Sequence, residues 1–171
     1  MRTALTAAPL CLHHEIARPE WVDYNGHMNV AYYVLVFDHA TDAVLDYVGL
    51  GTDYRAASGC SVFVAEAHVT YEREVRAGDP LRIDSRLTAV GGNRFILFHE
   101  MYGNGDRERA AANEVLCVHV DMGRRRSAPL PSAAMEQLER LAGDHSRLPR
   151  PIGAGRAIAL NAGRPAAGDR P

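Results

Sequence analysis

The sequence contains no lysine, and all 19 of its positively charged side chains are arginines. The 21 acidic residues nearly balance them, so the formal net charge is only -2 at pH 7 with histidine neutral. A charge this close to zero creates no strong field for a nucleic acid or for an anionic membrane surface. We therefore expect no nucleic-acid partner.

Cysteine is scarce as well, since Cys11, Cys60 and Cys117 are the only three in the sequence. They are too few and too far apart for a disulfide scaffold, and none forms the close Cys/His pairs of a structural zinc site. We expect free thiols in a reducing, cytoplasmic setting. No other group of residues has the usual metal-ligand spacing, so we expect neither a metal nor an organic cofactor.

Long hydrophobic runs are also lacking, because no stretch approaches the roughly 20 apolar residues that a membrane-spanning helix needs. The first twelve residues resemble a signal peptide only faintly: their apolar stretch is short, contains Pro9 and runs directly into His13 and His14. We expect a soluble protein with no membrane partner. Its 171 residues, 47% of them hydrophobic, fit one domain.

Hydrophobic periodicity and turn residues divide the chain into strands and helices. The pattern predicts strands at 10–17, 62–74, 81–90, 94–102 and 111–121, a long helix between Asn29 and Gly49, a polar loop after it, and a short helix at 132–141. We expect consecutive strands to form an antiparallel meander curled around the long helix, which is apolar on nearly every side. This is an α+β domain spanning 10–142, followed by a mobile tail at 143–171.

The loop that precedes the long helix carries the most distinctive motif. Asp23, Gly26, His27, Asn29, Tyr33 and Phe37 occur as D-x-x-G-H-x-N-x-x-x-Y-x-x-x-F. This motif resembles the signature of the 4-hydroxybenzoyl-CoA-thioesterase-like branch of hotdog proteins, and V-x-Y at 69–71 and A-G-D-x-L at 77–81 agree with it. Within that branch, W-V-D-Y-N-G-H-M-N and L-F-H-E-M-Y are most similar to betainyl-CoA thioesterases, including those fused to L-carnitine dehydrogenases.

The resemblance implies a hotdog fold and cofactor-free hydrolysis of an acyl-CoA thioester. It assigns the catalytic carboxylate to Asp23, which attacks the thioester directly or activates a water, and it assigns polarisation of the carbonyl to the backbone N–H of Val30. The chemistry agrees, because the first N–H groups of a helix lack intrahelical partners and favour negative charge. His27 is a further catalytic candidate, with a hydrogen bond that orders the loop as its alternative role.

Substrate selection is predicted to involve the aromatic residues near this loop, since aromatic faces attract quaternary ammonium groups. The candidates for substrate binding are Trp21, Tyr24, Gly26, Asn29, Tyr33, Phe37, Glu66 and His68. Packing in the core is the alternative role for the aromatic residues, and exposure to solvent is the alternative for Glu66 and His68 on their strand. The arginine run 124–126 is a candidate for the CoA phosphates or a solvated surface.

Several alternatives remain open. Asp38 and Asp42 recur every four residues along the helix and are reserve candidates for the carboxylate, because other hotdog enzymes carry it there. The substrate is a short acyl-CoA such as betainyl-CoA, or another short, aromatic or medium-chain acyl-CoA; a non-catalytic acyl-CoA-binding module is the third reading. A curled sheet leaves an exposed edge, so we expect a homodimer or homotetramer with the site at the subunit boundary.

Overall fold

The computed structural model describes residues 7–103 and 108–159. Its strands are β1 (Leu10–Ile16), β2 (Cys60–Tyr71), β3 (Pro80–Val90), β4 (Arg94–Gly103), β5 (Arg109–Asp121) and β6 (Arg126–Ser127), and its helices are α1 (Val30–Tyr47), α2 (Thr52–Ser58) and α3 (Ser132–His145). A short 3-10 turn occupies Pro19–Trp21. Within the described ranges, no helix has the length and apolar character that a bilayer crossing requires.

The strands form one antiparallel sheet in the order β1-β3-β4-β5-β2, and β6 pairs with the end of β5. The predicted meander is confirmed for β3, β4 and β5, which are sequential neighbours. It is wrong for β2, which pairs with β5 (His68 opposite Glu114) instead of β3. Turn residues such as those at 77–80 show where the chain reverses, but not which strand it joins.

Helix α1 crosses the concave side of the sheet, as predicted. Asn29 is its N-cap, because the Oδ1 atom of Asn29 accepts a hydrogen bond of 3.0 Å from the backbone N–H of Ala31. The buried face of α1 includes Tyr33, Phe37 and Val44 and joins the two halves of the core. The helix is not enclosed on every side, however: an open face consists of Val34, Leu35, Asp38, Asp42 and Asp46.

Helix α2 lies in the segment that was predicted to be only a polar loop. It is a two-turn element of seven residues, and it ends at Gly59, whose φ of 68° is left-handed. None of its residues is buried, although Tyr54 packs partly against the core. Without a buried apolar face, α2 has no hydrophobic periodicity from which it could be recognised.

Helix α3 and the segment that follows it, up to Gly155, pack against the sheet. Helix α3 continues to His145, past the expected end at residue 141, and the Nδ1 atom of His145 accepts from the backbone N–H of Leu87 at 2.9 Å. Beyond α3, the carbonyl of Ile152 accepts from Arg109 at 2.9 Å, and the N–H of Gly155 donates to Glu114 at 2.7 Å. The boundary expected at residue 143 falls inside α3, and residues 160–171 lie outside the described residues.

Candidate active site at the start of helix α1

The loop before α1 is a tight, internally hydrogen-bonded turn. Val22 and Met28 form an isolated antiparallel bridge, and the backbone N–H of Asp23 donates to the carbonyl of His27 at 3.1 Å. The N–H of Gly26 donates back to the carbonyl of Asp23 at 3.0 Å. Gly26 has a φ of 83°, a left-handed conformation that strains any residue with a Cβ atom. The predicted tight turn at Gly26 therefore has a backbone cause.

Hydrogen bonds hold the Asp23 carboxylate beside the start of α1. Its Oδ1 atom accepts from the backbone N–H of Asn25 at 2.8 Å, and its Oδ2 atom accepts from the Nδ2 of Asn29 at 3.3 Å. The other end of the same Asn29 amide caps the N–H of Ala31. Asn29 thus fixes the carboxylate relative to the helix, and Asp23 is not itself the helix cap.

The backbone N–H of Val30 is an available donor at this helix terminus. The next two N–H groups are used, since that of Ala31 bonds to the Asn29 side chain and that of Tyr32 bonds to the Asn29 carbonyl at 3.0 Å. Among the described residues, the N–H of Val30 has no hydrogen-bond partner. The side chain of Val30 is largely exposed, at 56%. A negatively charged oxygen is favoured at such a position.

The side chain of His27 lies beside that of Glu74. Its Nε2 atom lies 3.7 Å from the Oε1 of Glu74, and the side chain is 31% exposed. The backbone carbonyl of His27 accepts from the N–H of Asp23, so this residue contributes to the turn through its main chain as well. These contacts match the loop-ordering alternative for His27.

The aromatic side chains near the loop differ in their exposure. Trp21 is 4% exposed, stacks on Tyr32 with ring centroids 5.3 Å apart, and has the guanidinium of Arg18 over its ring at 5.1 Å. A stacked ring and a cation therefore already occupy positions over the Trp21 indole. Tyr24, in contrast, is 97% exposed and free to contact a ligand or a neighbouring subunit.

Tyr33 and Phe37 lie in the hydrophobic core, as in the alternative role considered for the aromatic residues. Phe37 is fully buried. The Tyr33 hydroxyl donates to the carbonyl of Arg73 at 3.2 Å and accepts from the N–H of Val75 at 3.1 Å. Burial, followed by the nearby charge of Glu74, raises the pKa of Tyr33 despite the hydrogen bond from Val75. Both rings anchor α1 on the sheet.

Glu66 and His68 lie on the face of the sheet that points away from α1. Val69 packs against the core that surrounds Tyr33, so its neighbour His68 faces the opposite side. Both residues line a surface groove with Glu114 and the segment 155–158. Within one chain, the structure therefore does not bring Glu66 and His68 together with Asp23.

Tyr71 lies near the candidate site but is not among the predicted site residues. Its hydroxyl is 3.5 Å from the carbonyl oxygen of Val30, and its ring meets that of Tyr33 edge-on at 5.3 Å. Tyr71 is 46% exposed at the end of β2. The V-x-Y motif at 69–71 contained the signal, but only the pairing of distant segments places this hydroxyl beside the helix terminus.

The remaining candidates lie elsewhere on the chain. The exposed side chains of Asp38 and Asp42 follow Val30 by two and three helical turns, about 12 and 18 Å at 1.5 Å per residue. Partial burial, and then the charges of Asp38 and Asp46, raise the pKa of Asp42. The arginines 124–126 follow the end of β5, where Asp121 pairs with Cys60 at the start of β2. Tyr71 is at the other end of β2.

The fold is that of a hotdog protein, with a curled antiparallel sheet around a central helix. Residues 17–138 match the family model of the Thioesterase-like superfamily, and the chain belongs to this superfamily. A putative thioesterase from Pseudomonas putida KT2440 is a similar solved structure, with 31% identity, a TM-score of 0.77, and coverage of 90% of this chain and 98% of that one. The predicted fold class and enzyme class are confirmed.

Curated relatives are similar over most of the chain. The betainyl-CoA thioesterase of Pseudomonas aeruginosa is 39% identical over 142 residues, which cover 83% of this chain and 89% of that protein. The L-carnitine dehydrogenase/betainyl-CoA thioesterase of Agrobacterium fabrum is 40% identical over 154 residues, 89% of this chain but 31% of that longer protein. A hypothetical protein from Staphylococcus aureus, solved in complex with CoA, shares the fold at 24% identity and a TM-score of 0.82, over 90% of this chain and 97% of that one.

Proposed function

We propose that this protein hydrolyses a short acyl-CoA thioester, and that betainyl-CoA is its preferred substrate. One observation carries the proposal: the Asp23 carboxylate is held beside a helix terminus at which the N–H of Val30 is available. The likeness to betainyl-CoA thioesterases supports the choice of acyl group. The three cysteines are too few and too far apart in the sequence for a disulfide scaffold, which favours a reducing compartment, the cytoplasm.

In the proposed reaction, the Asp23 carboxylate takes a proton from a water while the water oxygen attacks the thioester carbon. The carbonyl oxygen becomes an oxyanion, and the N–H of Val30 donates a hydrogen bond to it. When the tetrahedral intermediate collapses, the carbon–sulfur bond breaks and the CoA thiolate leaves. The proton held by Asp23 then returns to the thiolate, so the products are a free acid and CoA.

A direct attack by Asp23 is the second route to the same products. The carboxylate would form a mixed anhydride and expel the thiolate, and water would then hydrolyse the anhydride. A single turnover in isotopically labelled water tests the anhydride route. Label in Asp23 supports an anhydride that water opens at the aspartyl carbonyl, whereas label in the acid product alone arises from direct attack of water and also from opening of the anhydride at its acyl carbon.

The proposal includes a dimer with the site at the subunit boundary. Strand β2 is an edge of the sheet, because β5 is its only strand neighbour in the described part of the chain. Phe63, Val64 and Tyr71 on β2 are each 46% exposed, which is unusual for an edge open to water. A second copy that pairs with β2 would cover these side chains and the open face of α1. A monomeric mass in solution scattering, for protein that is active in the thiol-release assay, would contradict the proposed dimer.

A symmetric pairing of two β2 strands would also bring distant residues together. The arginines 124–126 and Tyr71 lie near opposite ends of the 12-residue strand, roughly 36 Å apart at about 3.3 Å per residue. An antiparallel partner reverses the strand, so the arginines of one subunit would approach the site of the other. Guanidinium groups in that position suit the phosphates of CoA. In this arrangement both subunits contribute to each site.

The proposed acyl pocket uses the exposed aromatic residues. Tyr24 and Tyr71 are exposed near the helix terminus, and Tyr32 is half-buried in the first turn of α1, so we propose these three rings for contact with a trimethylammonium group. Cation–π attraction contributes roughly 0.5–2 kcal/mol for a good contact. Two of the three rings pack against buried aromatic residues, since Trp21 stacks on Tyr32 and Tyr33 meets Tyr71 edge-on. A thioesterase for other short, aromatic or medium-chain acyl groups is the second candidate function.

A panel of acyl-CoA substrates assayed by release of free thiol tests the proposal. We expect kcat/KM for betainyl-CoA to exceed that for 3,3-dimethylbutyryl-CoA, its neutral isostere, by roughly 2- to 30-fold, the range that corresponds to the cation–π energy. Equal values would reject the cation preference and favour the broader thioesterase. Binding of all acyl-CoAs without thiol release would favour the non-catalytic module.

A further inference from the structure

We propose that His13, Glu15 and His39 form a binding site for a divalent transition-metal ion, with zinc as the expected metal. The Nε2 of His13 lies 3.2 Å from the Oε2 of Glu15, and the Nδ1 of His39 lies 3.0 Å from the same oxygen. The three ligand atoms all lie within 4.8 Å of one another. The residues are separate from the Asp23 loop, so the site is additional to the proposed function.

Two rigid elements position the three side chains. His13 and Glu15 alternate along β1, so both point to the side of the sheet that faces α1. His39 lies in the middle of α1 and turns its ring toward β1, where its centroid is 5.7 Å from that of His13. Ligands on a strand and a helix are held more precisely than ligands on loops.

The two distances that involve Glu15 fit a tetrahedral metal ion, and the third lies within 4.8 Å. Zinc binds imidazole nitrogen and carboxylate oxygen at about 2.0–2.2 Å, which places neighbouring tetrahedral ligands about 3.4 Å apart. The separations of 3.2 and 3.0 Å from Glu15 are close to this value. Two imidazoles and one carboxylate form a ligand set that zinc, cobalt and nickel accept. Three protein ligands leave at least one position for a water molecule.

The surroundings of Glu15 favour the ligand geometry. The guanidinium of Arg18 donates to its Oε1 atom at 3.3 Å, which leaves Oε2 directed at the two imidazoles. Interactions of this kind orient the ligands of many metal sites. The side chain of Glu15 is only 13% exposed, whereas that of His39 is 38% exposed. The carboxylate is therefore shielded, and an ion can enter past His39.

Binding of the ion requires a change of tautomer but no large movement. Without metal, both imidazoles donate an N–H to Glu15. With metal, each ring carries its proton on its other nitrogen and presents a lone pair to the ion. The ion would then link the edge strand β1 directly to α1, an additional connection between the edge of the sheet and the central helix.

The test is metal binding to the full chain after dialysis against a chelator. Titration with Zn²⁺ by calorimetry should give one ion per chain, and Co²⁺ should give the visible absorption of a tetrahedral nitrogen/oxygen site. The variants His39→Gln and Glu15→Gln should each weaken binding by about tenfold or more. Added Zn²⁺ should raise the Tm of the wild type and leave that of His39→Gln unchanged.

The matched control is His14→Ala, because His14 neighbours both ligands on β1 but faces the other side of the sheet. This variant should bind Zn²⁺ as the wild type does. If His14→Ala lost the ion while His39→Gln retained it, the proposal would be overturned, and the ion would belong to His14 and Cys11, whose Nε2 and Sγ atoms lie 3.6 Å apart. Absence of binding to the wild type would also overturn it. None of these readouts depends on thioesterase activity.

Discussion

Polar side chains meet at the start of α1 and again at its middle, but they are accessible to solvent at the start and buried in the middle. At the start, Asp23 is partly exposed, and the N–H of Val30 is an available donor. In the middle, Thr41, His99 and Ser85 are at most 3% exposed. There the Nδ1 of His99 lies 2.8 Å from the Ser85 Oγ, and its Nε2 lies 3.1 Å from the Thr41 Oγ1.

The buried group of Ser85, His99 and Thr41 resembles a catalytic arrangement, but its hydrogen bonds are those of a structural group. A serine hydroxyl beside a histidine resembles a nucleophile and its base. However, Thr41 donates to the carbonyl of Phe37 at 3.0 Å, so it accepts from His99, and the other nitrogen of His99 accepts from Ser85. Each of these groups already has its partner and no access to substrate. Burial lowers the pKa of His99 to about 3, so the ring is neutral.

Removal of the Val30 N–H tests the role proposed for the start of α1. Val30→Pro deletes one N–H, and proline is well accepted at the first position of a helix. Asn29 has φ -63° and ψ 144°, a conformation that tolerates a following proline. We expect kcat to fall about 10²–10³-fold, as for loss of an oxyanion donor, with little change in Tm.

Val30→Ala is the matched control, because it removes the side chain but keeps the N–H. It should retain kcat within a few-fold of the wild type. A Val30→Pro variant that hydrolyses acyl-CoA at the wild-type rate would show that this N–H does not stabilise the oxyanion. A fall in kcat with both substitutions would instead assign the effect to the side chain.

Replacement of His99 tests the structural end. His99→Leu leaves the Ser85 hydroxyl buried without its partner, which should destabilise the fold by about 1–3 kcal/mol in denaturant unfolding. The double variant Ser85→Ala/His99→Leu should recover part of this loss, since no unpaired hydroxyl remains. The kcat of the folded variants should stay within a few-fold of the wild type. A large loss of kcat would give the buried pair a role in catalysis.

The pH dependence of stability gives a second test of His99. Its pKa is about 3 in the folded state and about 6.5 when unfolded, so the unfolded chain binds more protons between these values. The contribution is complete above about pH 6.5 and is lost as the pH falls toward 3. Between pH 7 and pH 5, the wild type should lose roughly 2 kcal/mol more stability than His99→Leu. Parallel pH profiles would contradict the buried, neutral His99.

The smallest effect is expected for Asn29, which connects the carboxylate to the helix. Asn29→Ala removes the cap of Ala31 and should lower the free energy of unfolding by about 1 kcal/mol. It also removes the hydrogen bond to Asp23, so kcat should fall although the protein remains folded. Asn29→Asp restores the cap but places a negative charge beside Asp23. Full kcat in Asn29→Ala would show that Asp23 is oriented by other contacts.

The contiguous parts of the molecule were the most predictable from the sequence. The turn at Gly26, the cap at Asn29 and the start of α1 all follow from local chemistry, because their hydrogen bonds join residues close in sequence. The position of β2 depends on a long-range pairing, and no local signal distinguishes β3 from β5 as its neighbour. Helix α2 was missed because it buries no residue.

Of the candidate site, only the loop follows from the sequence. Asp23 and Val30 lie on one short segment, whereas Tyr71 reaches Val30 from another strand. The motif did not distinguish residues that face a substrate from residues that anchor the helix, so Tyr33 and Phe37 were expected at the site but lie in the core. His39 joins His13 and Glu15 only through the packing of α1 on β1.

The kcat of Asp23→Asn tests the account most directly. Asparagine keeps the size of the side chain and an oxygen for the N–H of Asn25, but its amide nitrogen would face the Nδ2 of Asn29, so that one hydrogen bond is lost. The backbone hydrogen bonds of the loop remain, so the loop and the binding of betainyl-CoA should survive. The negative charge is lost, and with it the base or nucleophile. We predict that the variant binds betainyl-CoA, measured by calorimetry, while kcat falls by about 10²–10⁴-fold or more. Retention of more than about a tenth of the wild-type kcat, well short of the loss of a general base, would contradict the account and direct attention to Asp38 and Asp42.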